Sequence, residues 1–479
     1  MQQLRYPRLV IAALCLSFIL WQSTPAYTAF PAAGMPLKYK DYNIVLVSFD
    51  AMQARHIHAL GYPKAITPTI DAMAKDGFNF TQMISVASWT VPASMTWFTG
   101  AYPSEHRLLN KFVVYDPPTE KIANLKQLAP GIVTLAEVLK ENGYATGGFT
   151  GDAGVAGVFG YKQGFDVYFD DAKFGDMEQS IPRALTWVTE QKDKKFFLFL
   201  HGYDSHGQCI PAGDLDRRFV SPSYHGKYTG SKEEQEALRE EGLANGAINL
   251  NDEDVAFWRA IYDEKINRAD SRFKKFLDDM DALGLTGRTL FVLTSDHGTE
   301  VYEHKRFDHG FSLYDELIHV PLIIKLPEHN LRGTTIPHQV SSIDVMPTVL
   351  DLLDVQVSEQ MKKQLRGSSL VPAMRGEAID QDAYSETDYR LYTFKRSLRT
   401  PDGWKFIYTM ESKKKELYNL NVDPGETKNL IESETRRAYE LEQKLFAHFA
   451  DIGHDLTKKQ WKTGLSPVYP SQAKGWKKP

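Results

Sequence analysis

Short apolar segments alternate with amphipathic helical segments along most of this chain. The predicted strands cover residues 43–48, 144–150, 196–201, 289–295 and 320–326. The predicted helices cover residues 67–76, 135–142, 176–191, 252–283 and 342–353. Strands that are separated by helices form a mainly parallel sheet with helices on both faces. The predicted fold class is therefore α/β, a three-layer sandwich around a central, mostly parallel sheet.

Side chains that bind metals or act in catalysis follow the ends of these strands. They are Asp50, Thr90, Asp204, His206, Asp296 and His297, with His309 in the loop after the last pair. Because the carboxyl ends of parallel strands share one edge, we expect these residues to meet in one pocket. Carboxylate, hydroxyl and imidazole ligands together favour Zn²⁺ or Mn²⁺, and suit Ca²⁺ or Mg²⁺ less well. Each residue alone also fits an ordinary turn or cap, so the prediction rests on their joint occurrence.

Thr90 stands where a strand gives way to a helix. Pro92 fits the first turn of that helix, residues 93–98 continue it, and Gly100 can end it in the left-handed conformation. A helix N-terminus favours an anion, which suits a hydroxyl nucleophile that attacks an anionic ester. The alternative role for Thr90 is that of an N-cap hydroxyl. A bound metal would lower the pKa of this hydroxyl, which is otherwise a poor nucleophile at neutral pH.

The first residues have the features of a secretory signal peptide, which we assign to residues 1–29. Two arginines precede an apolar run at residues 9–21, and small residues follow it. The run is short for a transmembrane helix, so an uncleaved membrane anchor is the alternative interpretation. Cleavage would leave Cys209 as the only cysteine, and the exported protein would have no intrachain disulfide. We therefore predict a periplasmic or secreted protein whose stability comes from its hydrophobic core.

The strand and helix pattern predicts a catalytic domain at residues 41–376. Within it, residues 207–250 are polar and rich in charge, glycine and proline, which fits either a lid or specificity insertion or a variable solvated loop. Residues 377–456 are predicted to form a subdomain with a small antiparallel sheet, from strands at 396–399, 404–409 and 416–420 and a helix at 432–449. The basic tail, residues 457–479, holds six lysines and no acid. We expect this tail to be disordered, with contact to an anionic membrane surface as the alternative.

Three stretches of the sequence carry a family resemblance. They are SDHGTEVYEHKRFDHGFSLYDELIHVPLII at residues 295–324, the Thr90 turn with its continuation FTGAYPSEH, and ELYNLNVDPGETKNL at residues 416–430. From about residue 43 to residue 430, the chain resembles sulfatases of the alkaline phosphatase superfamily. The resemblance implies an alkaline-phosphatase-like sandwich with a central mixed sheet and a metal-dependent site. It also implies hydrolysis or transfer of a sulfate or phosphate ester.

The same resemblance assigns roles to individual residues. Those that fall on metal-ligand positions of the family are Asp50, Thr90, Asp296 and His297. Thr90 also falls on the position of the nucleophile. His206 and His309 fall where family members bind the ester oxygens, protonate the leaving group or hold a second zinc. Asp204 is the further candidate for such a second cluster, although its spacing of two from His206 disfavours an arrangement in which both side chains point inward.

The sequence departs from the usual sulfatase pattern at three places. Typical members carry Cys or Ser in the motif C/S-x-P-x-R, and this residue is converted to formylglycine; here residues 90–94 read TVPAS, so we expect no formylglycine. Ala51 replaces the second Asp that usually follows the first strand. Residues 150–152 replace the usual Lys and His of a GKWH-like stretch, although Lys305 and His309 would restore part of the positive charge. Thr nucleophiles occur instead in superfamily members that act on phosphorus, namely lipoteichoic-acid synthases, phosphoethanolamine transferases and nucleotide pyrophosphatase/phosphodiesterases.

These observations predict an exported, metal-dependent hydrolase that acts on a sulfate or phosphate ester, either a small molecule or one linked to a glycan or lipid. The residue chemistry favours a phosphodiester or a phosphonate monoester. Two alternatives remain: a phospho-group transferase at the membrane face, and a degenerate member that only binds sulfated glycans. The mildly acidic formal charge of −5 predicts no nucleic-acid partner.

Overall fold

The computed structural model describes residues 37–111, 113–116, 121–124, 126–207, 215–327, 333–389 and 393–457. The predicted signal peptide at residues 1–29, Cys209 and residues 458–479 of the basic tail lie outside these ranges. None of the helices in the described ranges combines the length and the apolar character that crossing a bilayer requires.

The strands of the described chain are numbered in order. They are β1 (Asn43–Phe49), β2 (Phe78–Ile84), β3 (Val113–Asp116), β4 (Lys121–Asn124), β5 (Ala145–Phe149), β6 (Val167–Phe169), β7 (Phe196–Gly202), β8 (Thr289–Thr294), β9 (Glu300–Val301), β10 (Phe307–Asp308), β11 (His319–Lys325), β12 (Thr334–Ser341), β13 (Ala383–Tyr389), β14 (Thr393–Arg399), β15 (Trp404–Thr409) and β16 (Lys414–Asn419).

The helices follow the same convention. They are α1 (Pro68–Asp76), α2 (Thr90–Thr99), α3 (Pro103–His106), α4 (Leu135–Glu141), α5 (Met177–Gln191), α6 (Lys232–Asn245), α7 (Asp252–Ala282), α8 (Asp315–Ile318), α9 (Val345–Leu352), α10 (Glu359–Gln364), α11 (Val371–Met374) and α12 (Thr435–Asp451).

The large sheet has the strand order β12-β2-β11-β8-β1-β7-β5-β6. Its strands run parallel except β11, which pairs antiparallel with β2 and with β8. Strand β1 lies in the middle, where Val47 pairs with Leu200 of β7 and Leu293 of β8. The carboxyl ends of β1, β7 and β8 therefore meet at one edge of the sheet, as the sequence predicts.

Both faces of this sheet are covered, because β1 is apolar on both of its sides. Ile44 and Leu46 belong to a core cluster that includes residues of α2, α4 and α9. Val45 and Val47 point the other way into a cluster with α1, α5 and α7. Alternate burial on two faces is what a continuous apolar strand produces in a parallel sheet. The three-layer α/β fold predicted from the sequence is confirmed.

A separate four-stranded antiparallel sheet, in the order β13-β14-β15-β16, follows the catalytic part of the chain. Its buried face packs against α12 through Leu398, Phe406, Leu417 and Leu445. The sequence predicts three of these strands and the helix but misses β13. It also misses α6 within the polar insertion, since a helix in which five of the 14 residues are Glu shows little apolar periodicity.

Candidate active site

The ends of the central strands bring four of the predicted residues together. Asp50 follows β1, Asp296 and His297 follow β8, and Thr90 begins α2. Asp50 donates its backbone N–H to the carbonyl of Gly202 in β7, which ties the first two strand ends together. These four residues, Asp50, Thr90, Asp296 and His297, are called here the nucleophile cluster.

The side chains of the nucleophile cluster lie within direct reach of one another. The Thr90 Oγ1 atom donates to Asp50 Oδ2 at 3.1 Å and lies 3.3 Å from His297 Nε2. His297 Nε2 is also 3.4 Å from Asp296 Oδ2 and 3.7 Å from Asp50 Oδ1. Asp50, Asp296 and His297 are completely buried. The hydroxyl is thus surrounded by two carboxylates and one imidazole.

Backbone groups fix the orientation of these ligands. His297 Nδ1 lies 2.6 Å from the carbonyl of Gly298, which can only accept, so Nδ1 carries a proton and Nε2 faces the two carboxylates. Asp296 Oδ1 accepts from the N–H of His297 at 2.9 Å and from the N–H of Ala51 at 3.2 Å. Ala51 reaches this position with φ of +61°, a left-handed conformation that is uncommon for a residue with a Cβ. Ala51 therefore contributes a backbone donor at the position where the resemblance implies a second Asp.

The nucleophile cluster fits a divalent cation. Ligand atoms of Asp50, Asp296 and His297 lie within 4.8 Å of one another. Asp50 Oδ1 is buried and has no hydrogen-bond partner. Burial raises the pKa of Asp50 well above its ordinary value, and the neighbouring Asp296 raises it further. Two buried carboxylates this close together need a counter-charge, and a cation held between them and the imidazole would supply it.

Thr90 is held by packing and does not cap the helix. The N-cap of α2 is Trp89, and Thr90 is the first helical residue; Gly100 ends the helix with φ of +61°, as predicted. Gly154 lies directly beside Thr90, since a Cβ on Gly154 would be 2.6 Å from Thr90 Cγ2. The Thr90 methyl group therefore packs on the backbone of Gly154 while the hydroxyl faces the carboxylates. The N-cap alternative does not hold.

A second group of side chains lies next to the first. His206 Nε2 is 2.9 Å from His309 Nε2, and His309 Nε2 is 3.0 Å from Asp308 Oδ1. These three residues, His206, Asp308 and His309, are called here the histidine cluster, and their ligand atoms also lie within 4.8 Å of one another.

The histidine cluster directly adjoins the nucleophile cluster. The rings of His297 and His309 have centroids 4.2 Å apart, and His206 Nε2 is 3.9 Å from Asp50 Oδ1. Burial lowers the pKa of His206 well below its ordinary value, and the neighbouring His309 lowers it further. His206 is therefore neutral at pH 7.

Asp204 does not belong to the histidine cluster. Its Oδ2 accepts from the N–H of Met177 at 2.8 Å, and its Oδ1 binds Arg272 Nη1 at 2.6 Å. Asp204 thus links the start of α5 to α7. The carboxylate of the histidine cluster is Asp308 and not Asp204, the candidate from the sequence. Lys305, predicted to restore positive charge, lies in the turn between β9 and β10 with its side chain exposed.

Sequence reasoning misses three residues that the structure places at the site. Asp308 directly precedes the predicted His309, so of the three missed residues it has the clearest signal in the sequence. Arg239 comes from α6 and donates to Asp308 Oδ2 at 3.1 Å, and nothing in the polar insertion singles it out. His201 is the last but one residue of β7.

His201 is completely buried against Asp50. The N–H of Gly151 points at His201 Nδ1 at 3.4 Å, and His201 Nε2 lies 3.4 Å from Asp50 Oδ2. Burial lowers the pKa of His201 to about 4, so the ring is neutral and its Nε2 proton faces the carboxylate. The signal in the sequence is a single polar residue in an otherwise apolar strand, which a buried structural histidine explains equally well.

The two clusters together can carry out substitution at an anionic ester. A hydroxyl held among carboxylates and a metal site can attack, and two imidazoles on the neighbouring side can bind ester oxygens or donate a proton.

Comparisons with known proteins show the family of the chain. The sulfatase family model matches residues 42–355, and a model described as the C-terminal part of N-sulphoglucosamine sulphohydrolase matches residues 302–452. The chain is 22% identical over 418 residues to a Delta 4,5-hexuronate-2-O-sulfatase of Bacteroides thetaiotaomicron, which covers 81% of this chain and 84% of the relative.

Two solved structures share the fold. The structure of BT4656 with its substrate D-glucosamine-2-N,6-O-disulfate has a TM-score of 0.67 at 20% identity, covering 88% of this chain and 100% of the other. A phosphonate monoester hydrolase of Agrobacterium radiobacter has a TM-score of 0.66 at 19% identity, covering 86% and 96%. Since the sulfatase model spans more than half of its length, the chain belongs to the sulfatase family and is a hydrolase of ester bonds.

Proposed function

We propose that this protein is an exported, metal-dependent hydrolase in which Thr90 is the nucleophile, and that it prefers a phosphodiester or a phosphonate monoester over a sulfate ester. The observation that carries the proposal is the position of Thr90 Oγ1, within 3.1 Å of Asp50 Oδ2 and 3.3 Å of His297 Nε2. A hydroxyl with only a structural role would not need to be buried among metal-ligand side chains.

Asp50, Asp296 and His297 would hold the cation, with Thr90 Oγ1 beside it. A divalent cation bound there supplies positive charge that lowers the pKa of the Thr90 hydroxyl and offsets the charge of the ester. Zn²⁺ or Mn²⁺ fits a set of two carboxylates and one imidazole nitrogen better than Ca²⁺ or Mg²⁺ does.

The residues of the two clusters then divide the reaction between them. Thr90 Oγ1 forms the new bond to phosphorus or sulfur while the bond to the leaving oxygen breaks, and Asp50 Oδ2 is the nearest acceptor for the Thr90 proton. The pair His206 and His309 binds the ester oxygens and supplies a proton to the leaving oxygen. Water then attacks the ester formed on Thr90, which releases the acid product and restores the hydroxyl.

The charge around the site favours an ester with one negative charge. The two cationic side chains found beside the histidine cluster among the described residues are already engaged: Arg239 pairs with Asp308 and Glu240, and Lys265 donates to the carbonyls of His206 and Gly207. A phosphate monoester dianion needs more positive charge than this, whereas phosphodiesters, phosphonate monoesters and sulfate monoesters carry a single charge.

The chemistry of an unmodified Thr nucleophile favours an ester of phosphorus over an ester of sulfur. The hydrated aldehyde of formylglycine can expel its sulfate by re-forming the aldehyde, without attack of water on sulfur. Thr90 has no aldehyde to re-form, so water must hydrolyse its covalent intermediate directly. Phosphoryl intermediates undergo this hydrolysis more readily than sulfuryl intermediates do. The fold similarity to a phosphonate monoester hydrolase supports this choice, and the names of the sulfatase relatives support sulfated saccharides as the competing substrate class.

The role of Thr90 is tested by replacing it with Ala and with Ser. We expect Thr90→Ala to abolish turnover with at most a modest loss of stability, because Thr90 makes no capping bond, and Thr90→Ser to keep part of the activity. Intact-mass analysis should show an unmodified Thr90, with no formylglycine. Near-normal turnover by the Ala variant would exclude Thr90 as the nucleophile.

The substrate preference is tested with a panel of p-nitrophenyl esters that share one leaving group. We expect kcat/KM to be highest for a phosphodiester or a phosphonate monoester, lower for the sulfate ester, and lowest for the phosphate monoester. A panel in which the sulfate ester gives the highest kcat/KM would contradict the argument from the nucleophile.

A further inference from the structure

Helix α6 of the polar insertion is well formed. Ser231 Oγ accepts from the N–H of Glu234, the Glu234 carboxylate accepts from the N–H of Ser231, and Gly246 ends the helix with φ of +81°. This reciprocal cap fixes where the helix begins, and the left-handed glycine fixes where it ends. The insertion therefore presents a defined face, which includes the buried residues Leu238 and Arg239.

Two residues on that face, one helical turn apart, contact the two arms of the histidine cluster. Arg239 Nη1 donates to Asp308 Oδ2 at 3.1 Å. Gln235 packs on the backbone that follows His206, since a Cβ on Gly207 would lie 2.0 Å from Gln235 Nε2. Residues four apart on a helix lie on the same side, so α6 covers both the loop after β7 and the hairpin of β9 and β10.

The contact with Arg239 matters because of the conformation of Asp308. Asp308 has φ of +79°, a left-handed conformation that a residue with a Cβ adopts only when its surroundings hold it there. One carboxylate oxygen, Oδ2, binds Arg239, and the other, Oδ1, lies 3.0 Å from His309 Nε2. The guanidinium thus fixes the carboxylate, and the other carboxylate oxygen lies against the His309 ring.

We propose that α6 is part of the active site and that Arg239 is a positioning residue, which holds Asp308 and through it His309 in the geometry needed for leaving-group protonation. This inference rests on the proposed function, since it gives His309 a role in the reaction. In this proposal the insertion controls the leaving-group side of the site and does not affect the nucleophile cluster.

The central variant is Arg239→Met, which keeps the aliphatic stem and removes the charge. We expect kcat/KM to fall by about 10- to 100-fold, as is usual when an outer partner of an active-site ligand is lost, with most of the change in kcat. Arg239→Lys should recover part of the loss because it keeps a cation near Asp308. Glu241→Gln, at an exposed position of the same helix, is the matched control and should behave as the wild type.

A double-mutant cycle with Asp308→Asn distinguishes a positioning role of Arg239 from a general disturbance of the structure. If Arg239 acts through Asp308, Arg239→Met should cause little further loss in the Asp308→Asn background. Hydrogen exchange should show faster exchange of the β10 amides in Arg239→Met and unchanged exchange in α2. If the Met variant does not fold, the same cycle with Arg239→Lys decides.

Three results would overturn the proposal: wild-type kinetics of Arg239→Met, additive losses in the cycle, or unchanged exchange of β10. Failure of the proposed function would look different. An active Thr90→Ala variant would remove the nucleophile assignment, yet the coupling between Arg239 and Asp308 would still be measurable on the remaining turnover.

Discussion

The two clusters of the site are built in different ways. The nucleophile cluster stands on the ends of β1 and β8 and on the first turn of α2, and backbone donors from neighbouring strand ends orient its ligands. The histidine cluster stands on a loop and a short hairpin, includes Asp308 in a left-handed conformation, and is supported by Arg239 from the insertion.

Under the proposed function, this difference separates bond formation from the choice of substrate. Side chains at the ends of central strands can hardly move without disturbing the core, so the fold itself fixes the positions of Asp50, Asp296 and His297. Residues on loops can change partners at a small cost, which suits the side of the site that we propose meets the leaving group. The comparison yields three predictions, in order of decreasing effect.

Asp296→Asn should cause the largest loss. Asp296 is buried and belongs to the ligand set with Asp50 and His297, so the neutral amide should abolish metal binding and lower kcat/KM by at least about 10³-fold, which corresponds to about 4 kcal/mol of transition-state stabilisation. Elemental analysis of the purified variant, with thermal unfolding as the control for folding, measures both effects. A metal-free wild-type protein with full activity would contradict the metal site.

His309→Gln should cause a smaller loss that depends on the leaving group. We expect about 10²-fold for a poor leaving group, as is typical for the removal of a general acid, and much less for p-nitrophenolate, which leaves without a proton. The metal of the nucleophile cluster should be retained. An equal loss across leaving groups of different basicity would show that His309 does not donate the proton.

The smallest effect concerns stability against pH, and it should originate beside the histidine cluster. Burial opposes a charge on His304, but the hydrogen bond with Glu316 outweighs it and raises the pKa of His304 to about 9. Burial raises the pKa of Glu300 to about 8, and Glu316 raises it further. In the folded state both groups keep protons that the unfolded chain has already released. Stability is therefore lost as the pH rises, from about 4.5 to about 8 through Glu300 and from about 6.5 to about 9 through His304.

We expect the free energy of unfolding to fall over that range by on the order of 2 kcal/mol, and His304→Gln to flatten the slope. Urea unfolding at several pH values measures the free energy of unfolding, with His225→Gln at an exposed position as the control. A slope that is unchanged in His304→Gln would show that other groups cause the loss.

The sequence predicts the nucleophile cluster well because its information is local. Each member directly follows an apolar strand or precedes a helix, and the sheet topology brings strand ends together without any specific pairing. The histidine cluster depends instead on how two long connections fold back on each other. Asp204 is close to His206 in the chain but faces Arg272, whereas Asp308 is about a hundred residues away and faces His309.

Two further failures have the same physical origin. The pattern of α6 is almost entirely polar, so neither the helix nor the direction of Arg239 can be read from periodicity. His201 is one polar residue in a buried strand, and only the register of β7 against β1 shows that it faces Asp50.

The close approach of Gly154 to Thr90 gives the side chain of residue 90 a slot of defined shape. Serine and cysteine carry one γ atom and threonine carries two, and here the second lies against a glycine backbone that leaves room for a methyl group. Any side chain at residue 154 would fill that room, because its Cβ would lie 2.6 Å from Thr90 Cγ2. Gly154 is therefore the residue whose small size permits a threonine at position 90.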